Sequence, residues 1–195
     1  MSVGARDRQD LVARRDIMAV LTRYCTALDR ADLAMMERAY WPDGGDRHGI
    51  YVGDARSFIP FIIAGIQIWF EVATHAISNV DIVVDGDRAA SEAYLLSVCR
   101  VRQPQALEIF GPDYLVRHGD GALEPGRHLF MMGGRYLDRF ERRAGEWRIL
   151  ERQVVLDWSD NWPSTEIADA GMFATLRPRG SYGRGDPFYE FFPAA

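Results

Sequence analysis

The chain has 195 residues, the size of one ordinary domain, and its 48% hydrophobic and 26% charged content is typical of a globular protein. All 23 basic residues are arginine. The absence of lysine excludes Schiff-base catalysis by lysine, pyridoxal phosphate anchored on lysine and a Walker-type phosphate loop. A net charge of −5 with scattered arginines argues against nucleic acid as a partner, because nucleic-acid binding needs a clustered basic surface.

Neither a targeting signal nor a membrane span is expected. The N-terminal sequence is too charged for a signal peptide. The longest apolar run, residues 58–70, is interrupted by proline, glycine and glutamine and is too short to cross a bilayer. Cys25 and Cys99 lie in apolar segments and are expected to be buried free thiols. We therefore expect a cytoplasmic protein without membrane contact.

The first half of the chain predicts three helices, over residues 10–30, 31–40 and about 54–73. Asp54 or Ser57 can cap the third helix, and Pro60 is tolerated only in its first turn. Between the second and third helices, a Trp-Pro-Asp-Gly-Gly sequence at 41–45 predicts a turn, and residues 48–53 predict a short strand.

The second half predicts two pairs of strands, 74–84 with 89–101 and 127–142 with 146–158, joined by turns at 85–87 and 144–145. Helices first and strands afterwards indicate an α+β fold with helices on one face of an antiparallel sheet. Residues 102–126 are long for a loop, which is typical of a functional lid, an interface arm or a disordered segment. Residues 161–195 are rich in aromatic residues and are expected to form a C-terminal extension that packs on this domain or on a neighbouring subunit.

Motifs for a bound cofactor or metal are missing from the sequence. No glycine-rich dinucleotide fingerprint follows a strand, no HExxH or GxSxG motif occurs, and the four histidines are far apart. We expect no metal and no cofactor. Acid–base chemistry by carboxylate, histidine and tyrosine remains.

Three residues are candidates for that chemistry, and each has an ordinary structural alternative. Asp29 lies at the end of the first helix, where the helix dipole disfavours a negative charge, but a solvated aspartate is the commoner case there. His75 opens an apolar strand, where histidine is more often a satisfied core residue. Tyr24 lies in the apolar stripe of the first helix, as a core aromatic does. Taken singly, none of the three indicates a catalytic site.

Short motifs distributed over most of the chain are more specific. They are RYCTALD at 23–29, YWPD at 40–43, HAISNV at 75–80, DGDRA at 85–89, GRYLDRF at 134–140 and GEWRI at 145–149. Across about residues 8–160 they resemble the SnoaL-like branch of the NTF2-like superfamily. The resemblance implies one domain over residues 1–160 with the NTF2-like cone, an α+β barrel in which three N-terminal helices pack on a strongly curved antiparallel sheet. Because this fold hosts dehydratases, isomerases, cyclases and non-catalytic modules, the reaction stays open.

The resemblance also implies a site. Scytalone dehydratase, bile-acid 7α-dehydratase and hexachlorocyclohexane dehydrochlorinase, which belong to this superfamily, use an aspartate–histidine pair that matches Asp29 and His75. The bile-acid enzyme has a tyrosine that matches Tyr24. In such a catalytic site Asp29 orients the imidazole and His75 moves the proton. Dehydrochlorinases pair their aspartate with a lysine, which this chain does not have.

The expected partner is a hydrophobic small molecule, aromatic or polycyclic. The residues expected to bind it are polar donors and an aromatic wall, namely Asn79, His128, Tyr51, Trp41, Phe58, Trp69 and Trp158. The leading hypothesis is a cofactor-independent lyase of dehydratase type. The alternatives are formaldehyde release from lignin-derived diarylpropanes, an isomerase or cyclase, and a non-catalytic ligand-binding module. A homodimer or homotrimer is expected.

Overall fold

Helices and two short strands open the chain, and long strands follow. The computed structural model describes residues 4–102, 105–118 and 127–193. The N-terminal elements are α1 (Ala5–Arg30), α2 (Leu33–Glu37), β1 (Tyr40–Arg47), β2 (Val52–Asp54) and α3 (Ala55–Trp69). The later elements are β3 (Phe70–Asp85), β4 (Arg88–Val101), α4 (Ala106–Phe110), α5 (Pro112–His118), β5 (His128–Arg143), β6 (Glu146–Pro163) and α6 (Phe188–Phe191). The predicted α+β class is confirmed.

Helix α1 ends where the sequence predicts because its last turn carries its own stop signal. Ala31 adopts a left-handed conformation (φ 49°) and its N–H bonds to the carbonyls of Ala27 and Leu28. Asp32 follows at once and caps α2 by accepting a hydrogen bond from the N–H of Met35. The end of α1, with Asp29, is thereby fixed.

The six strands form one open sheet in the order β2-β1-β6-β5-β4-β3. Neighbouring strands are antiparallel as predicted, except that β1 runs parallel to β6. Helix α1 packs on β3 and β6, and α3 packs on β1 and β3. The core lies between these two helices and the sheet, and it contains Cys25 and Cys99 as buried free thiols, as predicted.

The boundaries predicted around β1 are wrong. Helix α2 ends at Glu37 instead of Tyr40, and the expected turn at 41–45 is part of β1. Gly44 is needed there for close packing, since a Cβ on it would lie 2.7 Å from the carbonyl oxygen of Leu150. A register shift between Tyr40 and Gly45 accommodates the extra residues against β6. Of the strand predicted at 48–53, only the end pairs, as part of β2.

Helix α3 also differs from its prediction. It ends at Trp69, and β3 begins at Phe70 rather than Thr74 because Phe70 already pairs with Val101 of β4. Pro60 lies in the sixth position, beyond the first turn. The carbonyl that loses its hydrogen bond belongs to Arg56, which is exposed, so water can replace the missing N–H.

The stretch predicted as a long loop is helical where it is described, since it contains α4 and α5. Its residues 103–104 and 119–126 lie outside the described part. The C-terminal segment, residues 164–193, is anchored on the junction of α1 and α2. There the Tyr189 hydroxyl donates to Asp32 at 2.5 Å, and Arg30 pairs with Asp186 at 3.0 Å. Among the helices in these described ranges, none is long and apolar enough to cross a membrane.

Candidate active site

A cavity of about 860 Å³ lies between the helices and the sheet. Its apolar wall is formed mainly by Leu28, Ile62, Ile66, Phe70, Leu95, Phe130 and Met132. Polar residues line the rest of it, from the strands, the β1–β2 connection, α4 and α5: His48, His75, Ser97, Glu108, Asp113, Tyr114, Arg117, His118, Ser159, Asp160 and Asn161. A cavity that combines an apolar wall with polar groups has the character of a small-molecule site.

Asp29 and His75 contact each other at the edge of this cavity. His75 Nδ1 lies 2.7 Å from Asp29 Oδ1, and the backbone N–H of His75 donates to both carboxylate oxygens, at 3.0 and 3.2 Å. The two side chains are only 9% and 15% exposed for His75 and Asp29, respectively. Helix α1 brings Asp29 to this point because α1 packs along β3, on which His75 lies.

The tautomer of His75 follows from its partner. An ionised carboxylate only accepts hydrogen bonds, so Nδ1 carries a hydrogen and donates it in a hydrogen bond to Asp29. Nε2 is then the ring atom with a free lone pair. Because His75 lines the cavity and Asp29 does not, this arrangement suits a base whose carboxylate partner stands behind it.

Tyr24 lies outside the cavity wall. Its ring is fully buried between Tyr40 and Tyr136, with edge-to-face centroid distances of 6.0 and 5.5 Å. The guanidinium carbon of Arg152 lies 3.8 Å from its ring centre. Burial raises the pKa of the Tyr24 hydroxyl, so it stays protonated. Of the three predicted catalytic residues, the structure brings Asp29 and His75 together and places Tyr24 in the core behind them.

Arg152 is a fully buried cation. It makes a bidentate pair with Asp138, with both N–O distances at 2.7 Å, and neither side chain is exposed. It lies between the rings of Tyr24 and Tyr136, and Tyr136 lines the cavity. The Tyr136 ring therefore separates the Arg152 guanidinium from the cavity, whereas Arg117 lines the cavity directly.

The predicted substrate-binding residues are spread over the molecule, and Trp69 is the one that lines the cavity. His128 is buried behind the wall, where its Nδ1 bonds to the Tyr114 hydroxyl at 2.9 Å. Phe58 and Tyr51 do not line the cavity and pack against each other with tilted rings, their centroids 5.3 Å apart. Trp41 and Trp158 lie on other faces, Trp41 beneath Arg143 and Arg148 and Trp158 half-exposed on Gly133.

Asn79 is exposed at an irregularity of β3, where its φ is 47° and the register with β4 shifts. Asparagine is one of the few residues that adopt this left-handed conformation easily. The position therefore explains the residue type without a ligand.

Most of the polar residues on the cavity wall, among them His48 with its neighbour Asp46, were missed by the sequence reasoning. Asp46 is buried on β1, and His48 follows two positions later with its ring on the cavity wall. Residues two apart in an extended segment share a face, so the Asp-Arg-His spacing was an available signal. Within the described residues, no three His, Cys, Asp or Glu side chains gather as metal ligands would.

Comparisons with known proteins agree with this fold. No curated protein matches the sequence. A crystal structure of a candidate scytalone dehydratase from Novosphingobium aromaticivorans is similar with a TM-score of 0.61 at 16% identity, over 90% of this chain and 95% of that one. A hexachlorocyclohexane dehydrochlorinase of LinA type 3 from Novosphingobium barchaimii is similar with a TM-score of 0.59 at 16% identity, over 83% of this chain and 96% of that one. A Nostoc punctiforme protein of unknown function with a cystatin-like fold is similar with a TM-score of 0.54 at 18% identity, over 80% of this chain and 96% of that one.

Identities this low show a shared fold and leave the activity open. The family is shown by a different comparison, because the family model of the SnoaL-like domain matches residues 9–153. The resemblance that the sequence motifs predict is therefore confirmed, and the chain belongs to the SnoaL-like domain family.

Proposed function

We propose that this protein is a cofactor-independent lyase that eliminates water from a hydrophobic small molecule. One observation carries the proposal: the Asp29 carboxylate holds Nδ1 and the backbone N–H of His75 while the His75 ring lines an apolar cavity. A histidine oriented in this way is a general base whose lone pair faces the substrate. The dehydratase and dehydrochlorinase among the similar structures are consistent with elimination chemistry in this fold.

The proposed step begins with His75. Its Nε2 takes a proton from a carbon that a neighbouring carbonyl or aromatic ring makes acidic. The electrons of the C–H bond form the new double bond, and the C–O bond breaks with its electron pair on oxygen. Asp29 stabilises the imidazolium that forms, since its carboxylate lies 2.7 Å from Nδ1.

The cavity supports a hydrophobic substrate of aromatic or polycyclic type. Its volume of about 860 Å³ lies towards the upper end of what small-molecule sites usually have. Phe70, Phe130 and Trp69 offer aromatic faces in the lining. Exclusion of water by such walls strengthens the electrostatic interactions of the catalytic pair.

The test is a panel of hydroxylated aromatic and steroid compounds, incubated with the purified protein without added cofactor and followed by mass. We expect a product lighter by one water, and no product with His75→Gln. A product lighter by one formaldehyde would replace the dehydratase proposal with the retro-aldol alternative. A product of unchanged mass would indicate an isomerase. Ligand binding without any turnover, equal in wild type and His75→Gln, would favour a binding module.

A further inference from the structure

A second histidine–carboxylate pair lies on the same cavity. His48 Nδ1 is 3.3 Å from Asp46 Oδ1, within ion-pair distance, and the His48 side chain is 19% exposed. The other carboxylate oxygen, Oδ2, accepts a hydrogen bond from the Tyr40 hydroxyl at 2.6 Å. Burial raises the pKa of Tyr40, so its hydroxyl remains a donor. Tyr40, Asp46 and His48 thus lie next to one another between the core and the cavity wall, the first two joined by a hydrogen bond.

Asp46 is a buried acid, and His48 lies within ion-pair distance of it. The Asp46 side chain is fully buried, and an isolated buried carboxylate is costly. Arg152, the other cation of this part of the core, is already paired with Asp138. In the described part of the chain, neither Oδ1 of Asp46 nor Nδ1 of His48 makes a hydrogen bond. The contact between them is an ion-pair distance of 3.3 Å, and the His48 ring is the ion-pair partner found for Asp46 there.

The ring of His48 is also held in position. Phe58 of α3 packs against it with centroids 5.3 Å apart and planes 31° apart. With Nδ1 turned to Asp46 and one face on Phe58, the polar atom left for the cavity is Nε2. His75 resembles it in having a carboxylate beside Nδ1, but there the contact is a hydrogen bond of 2.7 Å, whereas His48 and Asp46 are at ion-pair distance without a hydrogen bond.

The two pairs reach the cavity from different parts of the fold. His48 follows β1 and His75 lies on β3, and three strands separate β1 from β3 in the sheet order. Both side chains nevertheless line one cavity. A molecule in that cavity can therefore meet both imidazoles.

Elimination of water requires two proton transfers, one from carbon and one to oxygen. Hydroxide is a poor leaving group, so the leaving oxygen needs a proton as the C–O bond breaks. We propose that His48, which lies beside the buried Asp46, is the general acid that protonates the leaving oxygen, while His75 is the base. This inference rests on the proposed lyase function and assigns a second catalytic residue to it.

The transfers balance without any further reactant. His75 Nε2 takes the proton from carbon, the C–H electrons form the double bond, and the C–O pair goes to oxygen. The Nε2–H of His48 gives its proton to that oxygen, which leaves as water. His75 ends protonated and His48 neutral, and proton exchange with water entering the cavity restores both.

The experiment compares two leaving groups on one carbon skeleton: the hydroxyl compound that the wild type dehydrates, and the corresponding chloride, which leaves as an anion without a proton. We expect His48→Gln to lose at least about 10²-fold in kcat on the hydroxyl compound and to change little on the chloride. His75→Gln should lose activity on both. Asp46→Asn should repeat the selectivity of His48→Gln to a smaller extent.

His118→Gln is the matched control, because it makes the same exchange on the wall of the same cavity and should not distinguish the two leaving groups. His48→Asn is a second variant, shorter and without a titratable nitrogen, should the glutamine variant fold poorly. An equal loss on both compounds, or no loss on the hydroxyl compound, overturns the role of His48. A wild type that eliminates chloride but not water overturns it as well and leaves His75 as the base. A wild type that eliminates neither overturns the lyase function together with this inference.

Discussion

Asp29 holds His75 by its ring and by its backbone at once, although the two residues are 46 positions apart in the chain. Oδ1 accepts from Nδ1 and from the backbone N–H, and Oδ2 lies 3.2 Å from the same N–H. The contact therefore fixes the strand position, the ring orientation and the tautomer together. A surface ion pair would fix none of these, because its side chains move freely in water.

Replacement of Asp29 by asparagine tests this relationship. The amide of the substituted side chain can donate to Nδ1, which would place the imidazole proton on Nε2 and remove the lone pair that faces the cavity. We expect Asp29→Asn to lower kcat by at least about 10²-fold with little change in the thermal midpoint. Asp81→Asn, the same exchange at an exposed position of the same strand as His75, is the control. Retention of wild-type kcat by Asp29→Asn would contradict the role of the pair.

A variant of Tyr24 tests whether this residue has a packing role or a catalytic role. It lies in the core between Tyr40 and Tyr136 and does not reach the cavity wall. We expect Tyr24→Phe to keep the ring contacts and to affect kcat far less than His75→Gln does. Steady-state kinetics on the same substrate decide this. A loss as large as that of His75→Gln would place the Tyr24 hydroxyl in the reaction.

The buried pair of Arg152 and Asp138 should be the most sensitive polar contact of the fold. Asp138→Asn removes the charge partner of a guanidinium with no exposed surface. Since an unpaired buried charge is strongly unfavourable, we expect a loss of roughly 3–5 kcal/mol in the free energy of unfolding. Urea denaturation measures it.

The matched comparison is Glu151→Gln, which breaks the ion pair of Arg139 with Glu151 on the surface of the same two strands. Those side chains are 73% and 59% exposed, so we expect a loss below about 1 kcal/mol. Equal losses in Asp138→Asn and Glu151→Gln would show that the buried pair is not required for stability.

The anchor of the C-terminal segment should weaken in acid. Burial acts to raise the pKa of Asp32, but the hydrogen bonds from Tyr189 and the N–H of Met35 outweigh it and hold the pKa below 3.8. Burial also acts to raise the pKa of Asp186. The hydrogen bonds that it accepts from backbone N–H groups and its pairing with Arg30 outweigh burial and hold the pKa below 3.8.

The pKa of each carboxyl is thus lower in the folded than in the unfolded protein. The stability they contribute is present above the ordinary value of 3.8 and is lost as the pH falls through the folded value. We expect the free energy of unfolding to fall less between about pH 5 and about pH 3 in Asp186→Asn than in wild type. Asp81→Asn should keep the wild-type difference. Identical pH dependence in Asp186→Asn and wild type would show that this carboxylate does not anchor the segment.

Features that depend on neighbouring residues could be predicted from the sequence. The end of α1 at Arg30 and the turns at Gly86 and at Ala144-Gly145 are of this kind, and positive φ angles are found at Gly86, Ala144 and Gly145. Local backbone preferences decide such features, and these can be read from a few residues. Asp29 and His75 could be identified because each lies in a short motif that resembles the SnoaL-like family, one on α1 and one on β3.

Features that depend on distant partners could not be predicted. The sequence 41–45 has the composition of a turn, but it lies within β1, in which Tyr40 and Gly45 pair with Ile149 and Glu151 of β6, about a hundred residues later in the chain. Trp41, Trp69 and Trp158 are equal candidates for a binding wall by composition, and the packing of helices on the sheet puts only Trp69 of these three on the cavity.

By itself, the sequence determined the α+β class, the helix end that carries Asp29 and the absence of lysine chemistry. The tertiary structure decided that Asp29 meets His75, that Tyr24 stays in the core, and that Asp46 and His48 reach the same cavity. The physical reason is the distance along the chain over which each kind of interaction acts. Backbone conformation and capping act over a few residues, whereas burial and the pairing of charges are fixed only when segments far apart in the chain pack together.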